Sequence, residues 1–156
     1  MRTNLFISAA VAALLALPQV ASAGEIIDVA GTMGCVIDKW DESEPGKGRK
    51  LVDYAGRCII IPDDAAVQKN AEDCVGKYEY MPDGSWKSSG TCTGAFKDGG
   101  KVFLTWEEGS HLEESVYTYT GGTGKYDGAK GGGTYKVDEL TKTLLGGRKS
   151  GKLELR

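Results

Sequence analysis

Residues Thr120–Val137 read TGGTGKYDGAKGGGTYKV, and seven of these eighteen positions are glycine. Tyr126 and Tyr135 stand among them. Three structures use glycine this densely: a phosphate cradle, a flexible linker and sharply bent β-strands. A dinucleotide cradle needs G-x-G-x-x-G between a strand and a helix. Here Gly122 and Gly124 are followed next by Gly128, and the GGGTYKV beyond has strand composition. No P-loop lysine–hydroxyl pair follows. A linker would leave two tyrosine rings in water, and such rings gain from burial. Bent strands that pack tyrosines over bare backbone account for both halves of the composition.

Outward from this stretch, period-2 patterns separated by turn residues dominate. EIIDVAGTMGCVID reads as a first strand, with room for a break at Gly31–Gly34, and LVDYAGRCIII reads as a second that ends at Pro62. VGKYEYM, SWKSSGTCTGAF, KVFLTWE, SVYTYT, GGGTYKV and KSGKLELR follow. Only DDAAVQKNAEDC has helical character, with Asp63 or Asp64 as cap, so residues 63–73 hold at most one short helix. Many short strands with glycine-rich turns give an all-β sandwich or barrel. Short links imply a meander of sequential neighbours, and glycines in or beside strands allow the bends that closure demands. The expectation is a single eight-stranded antiparallel meander β-barrel.

The chain opens MRTNLFISAAVAALLALPQVASAGE. Arg2, an apolar run from Leu5 to about Leu17 and the small residues Ala21-Ser22-Ala23 form a secretory signal peptide. Removing residues 1–23 of 156 leaves 133, residues 24–156, one domain by length. The leader holds one charged residue, Arg2, so the remainder has 18 basic and 22 acidic residues, mixed along the chain. Nucleic acid and acidic membranes call for clustered Lys and Arg, which this chain lacks. No membrane association is expected after leader cleavage.

Cys35, Cys58, Cys74 and Cys92 form an even set in an exported chain, which points to two disulfides and a periplasmic or secreted location. The shortest spacing is too long for a zinc C-x₂-C pair, and the acidic runs lack a calcium-loop pattern, so no metal is expected. The turn Pro82-Asp83-Gly84-Ser85 lies midway between Cys74 and Cys92, and EPGKG lies midway between Cys35 and Cys58. Hairpin symmetry pairs Cys35 with Cys58 and Cys74 with Cys92.

The run Gly121-Gly122-Thr123-Gly124-Lys125-Tyr126-Asp127-Gly128-Ala129-Lys130-Gly131 resembles the G-G-[TS]-G-x-[FY]-x-G-x-x-G signature of the allene oxide cyclase and dirigent barrel superfamily. The preceding KDGGKVFLTWE is similar to the strand one hairpin earlier in small exported bacterial members. The likeness covers roughly Cys74 to Val137. It implies an eight-stranded antiparallel barrel with a largely hydrophobic cavity, and a homo-oligomer. It also implies cofactor-free ring closure or steered radical coupling as family activities. The matched glycines, Gly121, Gly122, Gly124, Gly128 and Gly131, are structural, and no family catalytic residue maps onto this chain.

Strand alternation gathers Val102, Leu104 and Trp106 on one face, and Tyr117 with Tyr119 on another. A cavity lined by Trp86, Trp106, Tyr117, Tyr119 and Tyr135 suits a flat or lipid-like ligand. The plainer reading is that these rings fill the barrel, since eight strands enclose space that side chains can just occupy. Asp53 and Glu79 are candidate acids or bases if they point inward; alternation sets Glu79 with Lys77, opposite the tyrosines. His111, the single histidine, sits in a polar turn beside Ser110. Three functions remain: an exported barrel binding a small apolar or aromatic ligand, a cofactor-free cyclase or isomerase, and a filled-barrel structural or interaction protein. The first is preferred, and none requires a cofactor.

Overall fold

The computed structural model describes residues 24–156, and the expected leader lies outside them. The alternation read in the sequence carries through the strands. In β6 (Lys101–Gly109) Val102, Leu104 and Trp106 are buried while Lys101, Phe103, Thr105 and Glu107 are exposed. The other strands are β1 (Ile26–Asp28), β2 (Gly31–Gly46), β3 (Arg49–Pro62), β4 (Asn70–Tyr80), β5 (Trp86–Phe96), β7 (Ser115–Thr123), β8 (Lys130–Thr141) and β9 (Leu144–Glu154).

Each strand from β2 to β9 pairs antiparallel with the next, and β9 also pairs with β2, which closes an eight-stranded barrel. β1 extends the line of β2 along β9: it pairs with residues 152–154, and β2 with residues 144–149. The first strand is therefore broken at Val29–Ala30, just before the glycine-bearing stretch where the sequence allowed a break. Closure leaves no long free edge to recruit a foreign strand.

The connections follow the turn chemistry. Asp83 Oδ1 accepts hydrogen bonds from the Ser85 backbone N–H at 2.9 Å and the Ser85 hydroxyl at 2.6 Å, which shapes the β4–β5 turn. That register sets Cys74 opposite Cys92, and the β2–β3 register sets Cys35 opposite Cys58. Both pairs are disulfide-bonded, the chemistry of an oxidising compartment. The segment with helical character takes no helix. Asp64 caps only a turn, accepting from the Ala66 N–H at 2.8 Å, and Asn70–Asp73 belong to β4.

The opening stretch forms a short 3₁₀ turn, Gly124–Tyr126, between β7 and β8. Gly124 and Gly128 adopt φ of +64° and +67°, the left-handed region that side chains with a Cβ resist. The turn drives Tyr126 inward to 2% exposure, stacked on Phe96 with ring centroids 4.1 Å apart. Its ring lies against Gly100, where a Cβ would come within 2.6 Å of it. Glycine density and aromatic content thus serve one purpose here, which is to seat a ring on backbone.

The same device recurs in the barrel wall. Gly76, Gly90 and Trp106 are cross-strand neighbours on β4, β5 and β6, and the indole lies over both glycines. A Cβ at Gly90 would meet the Val75 carbonyl oxygen, closest of all, and Trp106 at 2.5–2.6 Å. Gly90→Ala is therefore expected to lose about 1–3 kcal/mol and several degrees of melting temperature. The control Gly34→Ala, whose Cβ would meet nothing nearer than Ile59 at 3.9 Å, should stay within about 0.5 kcal/mol of the parent. Thermal unfolding by circular dichroism compares the two; equal losses would show that the indole does not depend on the bare wall.

Candidate functional site

β6 carries the central residues of the site. Alternation continues past Trp106 to Glu108, which is half-buried and faces the barrel interior. Trp106 meets Tyr54 edge to face at 6.0 Å across the two wall glycines. The indole is buried, and among the described residues its Nε1–H has no hydrogen-bond acceptor. Buried donors are satisfied in the great majority of native positions, so an orphan one marks a place where an acceptor belongs.

Glu108 has the opposite condition. Its Oε1 accepts from the Tyr135 hydroxyl at 2.7 Å, and its Oε2 accepts from the Tyr78 hydroxyl at 3.1 Å and the Ser88 hydroxyl at 3.2 Å. Burial first, and the Glu108 charge next, push the hydroxyls of Tyr78 and Tyr135 well up from the ordinary tyrosine value. Burial also pushes Tyr54 up to about 12. These tyrosines are firm donors across the physiological range.

Trp106, Glu108, Tyr54, Tyr78, Tyr117 and Tyr135 line a cavity of about 50 Å³. A water needs about 10–15 Å³ on this measure, so the space admits one functional group and not a whole drug-sized ligand. Outside it lies a platform of rings. Trp40 is 5.0 Å from Tyr78, Tyr78 stacks on Trp86 at 6.1 Å, and Tyr80 stacks on Trp86 at 6.3 Å. Lys50 sits over the Tyr80 ring at 4.6 Å.

Toward the barrel centre, all four cysteines line the cavity. Beside them Lys149 donates to Glu72 at 2.6 Å, each residue 4% exposed, and this ion pair closes the floor. Glu72 Oε and the sulfurs of Cys74 and Cys92 cluster, but the sulfurs are joined in a disulfide and offer no thiolate. Beyond the floor, the opposite mouth holds a recess of about 400 Å³. The barrel is therefore filled at its middle and open towards both ends.

Among the expected lining residues, Trp106, Tyr117 and Tyr135 meet in the small cavity. Trp86 lies in the rim platform instead, and Tyr119 lines the recess at the far mouth. Asp53 points outward to Lys77 at 3.4 Å. Glu79 pairs with Arg49 and with Lys87 on the outer face. His111 rests on Glu107 at 3.3 Å in an exposed turn, and Ser110 accepts from the Trp86 N–H at 3.0 Å. None of these four reaches the cavity. Glu108, Tyr54, Tyr78, Glu72 and Lys149 are the site residues that the sequence reading passed over; continuing the β6 alternation one step beyond Glu107 finds the first of them.

No family model matches the chain, and no curated protein does. Solved structures do. A pterocarpan synthase dirigent protein aligns over 98% of this chain and 100% of its own, at 11% identity and a TM-score of 0.56. A DUF3224-family protein of unknown function from Shewanella oneidensis MR-1 aligns over 85% of this chain and 97% of its own, at 12% identity and a TM-score of 0.57. A protein of unknown function from Clostridium acetobutylicum ATCC 824 aligns over 85% and 97%, at 11% identity and a TM-score of 0.54. The chain shares the barrel fold of dirigent-protein structures.

The raised tyrosines make a prediction about stability. Tyr54 moves from 10.0 to about 12 on folding. Above pH 10 the unfolded chain releases a proton that the folded chain keeps, so this contribution is full below pH 10 and is lost as pH climbs towards 12. Urea midpoints should fall steadily over that interval. Glu108→Gln removes a charge that raises Tyr54, Tyr78 and Tyr135, so ultraviolet titration should find tyrosines ionising at lower pH in the variant. Identical titration curves would separate Glu108 from these hydroxyls.

Proposed function

We propose that this protein is an exported β-barrel that binds a small planar or aromatic molecule at the mouth bearing Trp40, Tyr78, Tyr80 and Trp86. The single observation that carries the reading is the buried Trp106 Nε1–H, which has no acceptor among the described residues and belongs to a ring that lines an aromatic-walled cavity beside Glu108. One oxygen-bearing group of the guest enters the cavity and, where it carries a proton, donates to Glu108; a small shift of the buried indole brings the Trp106 Nε1–H to the same oxygen. The rest of the guest lies on the ring platform, where flat apolar surface is stabilised by stacking and burial. The apolar leader Leu5–Leu17, the Ala21-Ser22-Ala23 site and the two disulfides support export to the periplasm or beyond.

Glu108 favours a second reading. An inward carboxylate flanked by two tyrosine hydroxyls and a serine is a ready proton relay. A barrel that fixes a flexible guest in one folded conformation lowers the entropic barrier to ring closure without any cofactor. Two of the similar structures are pterocarpan synthase dirigent proteins, which gives this reading an analogy of fold. Binding comes first in both readings.

Native mass spectrometry of the oxidised chain, residues 24–156, should find a retained small molecule or, failing that, binding of added 2-naphthol. Trp106→Phe keeps the ring and removes the donor, so naphthol affinity should fall about 2- to 10-fold, the span of one hydrogen bond. Unchanged affinity in Trp106→Phe would sink the proposed site. Turnover of a bound guest that disappears in Glu108→Gln would promote the second reading over the first.

A further inference from the structure

The recess at the opposite mouth is distinct from the ring platform and is chemically different. It has a volume of about 400 Å³, inside the usual range for small-molecule sites of about 300–1,000 Å³. Ile27, Val29, Ile60, Phe96 and Leu153 supply apolar wall, and polar residues, Asp28, Gln68 and Asn70 among them, line the rest. Among the described residues lining the two cavities, Lys149 alone belongs to both. It stands where the recess ends against the barrel floor.

The ammonium of Lys149 has three N–H donors. Glu72 takes one at 2.6 Å, and the face of Tyr117 lies 4.2 Å from Nζ. No other hydrogen-bond acceptor reaches Nζ among the described residues. A buried ammonium with a spare donor at the end of a partly apolar recess invites an acceptor. The Glu72 carboxylate decides which kind. Glu72 and Lys149 together are neutral, so an anionic guest would bring a second negative charge against Glu72 in a desolvated site. A cationic guest would meet Lys149 in the same way. A neutral carbonyl or hydroxyl oxygen meets neither penalty.

We propose that this recess is a second binding site, at the end of the barrel opposite the aromatic mouth, for a neutral amphiphile. Its apolar chain fills the recess, and its carbonyl or hydroxyl oxygen accepts a hydrogen bond from Lys149. The site is selective for neutral head groups over carboxylates of the same chain length, because Glu72 is fixed beside Lys149.

The test is a titration of the ¹⁵N-labelled, oxidised chain, residues 24–156, with octan-1-ol and separately with octanoate at neutral pH. Octan-1-ol should shift the amides of Val29, Ile60 and Leu153, and octanoate should bind at least about tenfold more weakly, as expected for an unpaired charge brought into a buried site. The double variant Glu72→Gln with Lys149→Met removes both charges together, so no lone buried charge threatens the fold. It should bind octan-1-ol about tenfold or more weakly, since a hydrogen bond to a charged donor is lost. Octanoate binding as well as the alcohol would overturn the proposal. So would shifts confined to Tyr135 and Val137 at the aromatic mouth, an unchanged affinity in the double variant, or no binding of octan-1-ol at all. The Trp106 indole resonance reports the aromatic mouth in the same spectra, so failure at one end is read separately from failure at the other.

Discussion

Eight strands closed into a barrel leave an interior of nearly fixed width, and every inward side chain competes for it. In this protein the competition is resolved in the wall. Trp106 fits inside because Gly76 and Gly90, its neighbours across two strands, present no side chain where the indole lies. Tyr126 fits because Gly100 and Gly122 are bare in the same way. Gly151 leaves room for the Tyr117 hydroxyl, which a Cβ there would approach to 2.6 Å. Large rings inside and glycine in the wall are thus one constraint expressed twice. Close packing makes the arrangement unforgiving, since interiors have little spare volume to absorb even a methyl group.

That constraint also decides where open space can exist. At mid-barrel the rings, the two inward disulfides and the Glu72–Lys149 pair use up the cross-section. Burying two charges is expensive, and an apolar pair of similar size would often be at least as stable. Removing one partner is far worse, because the other is left charged and dry. The pair therefore makes better sense as a fixed, neutral polar floor with a working role at its free donor than as a device for stability. Space is left at the two ends, and the ends differ. One is small and ringed with aromatics; the other is larger and lined by aliphatic and polar residues in about equal measure.

Much of the fold was legible because two-residue alternation and turn chemistry are local. Asp83-Gly84 fixes a register, and the register alone sets Cys74 against Cys92. The site was less legible, for three physical reasons. Alternation says which side chains point inward but not how far along the axis they sit, so Tyr117 and Tyr119 share a face yet line different cavities. Glu108 follows Glu107 at the end of a strand, where the sequence shows only two acids before a turn. Glu72 lies in a segment whose composition has helical character, and its partner is 77 residues away in the chain. A buried ion pair is a long-range fact, and nothing local to either residue announces it.

The choice between a filled barrel and a binding barrel turns on what the polar atoms lack. A barrel evolved only to fill itself has no reason to leave a buried indole N–H without an acceptor among the described residues while the nearby carboxylate has three donors. Waters fit in the cavity, which has room for a few, but the indole nitrogen has no surface open to them. Waters do not account for the rings outside. Trp40, Tyr78, Tyr80 and Trp86 form a partly exposed stack at the mouth, where a monomer gains nothing from leaving flat apolar surface in solvent. A guest with one oxygen and one flat face answers both observations at once. It fills the small cavity beside Trp106 and covers the stack, and each contact strengthens the case that the other is there to be used.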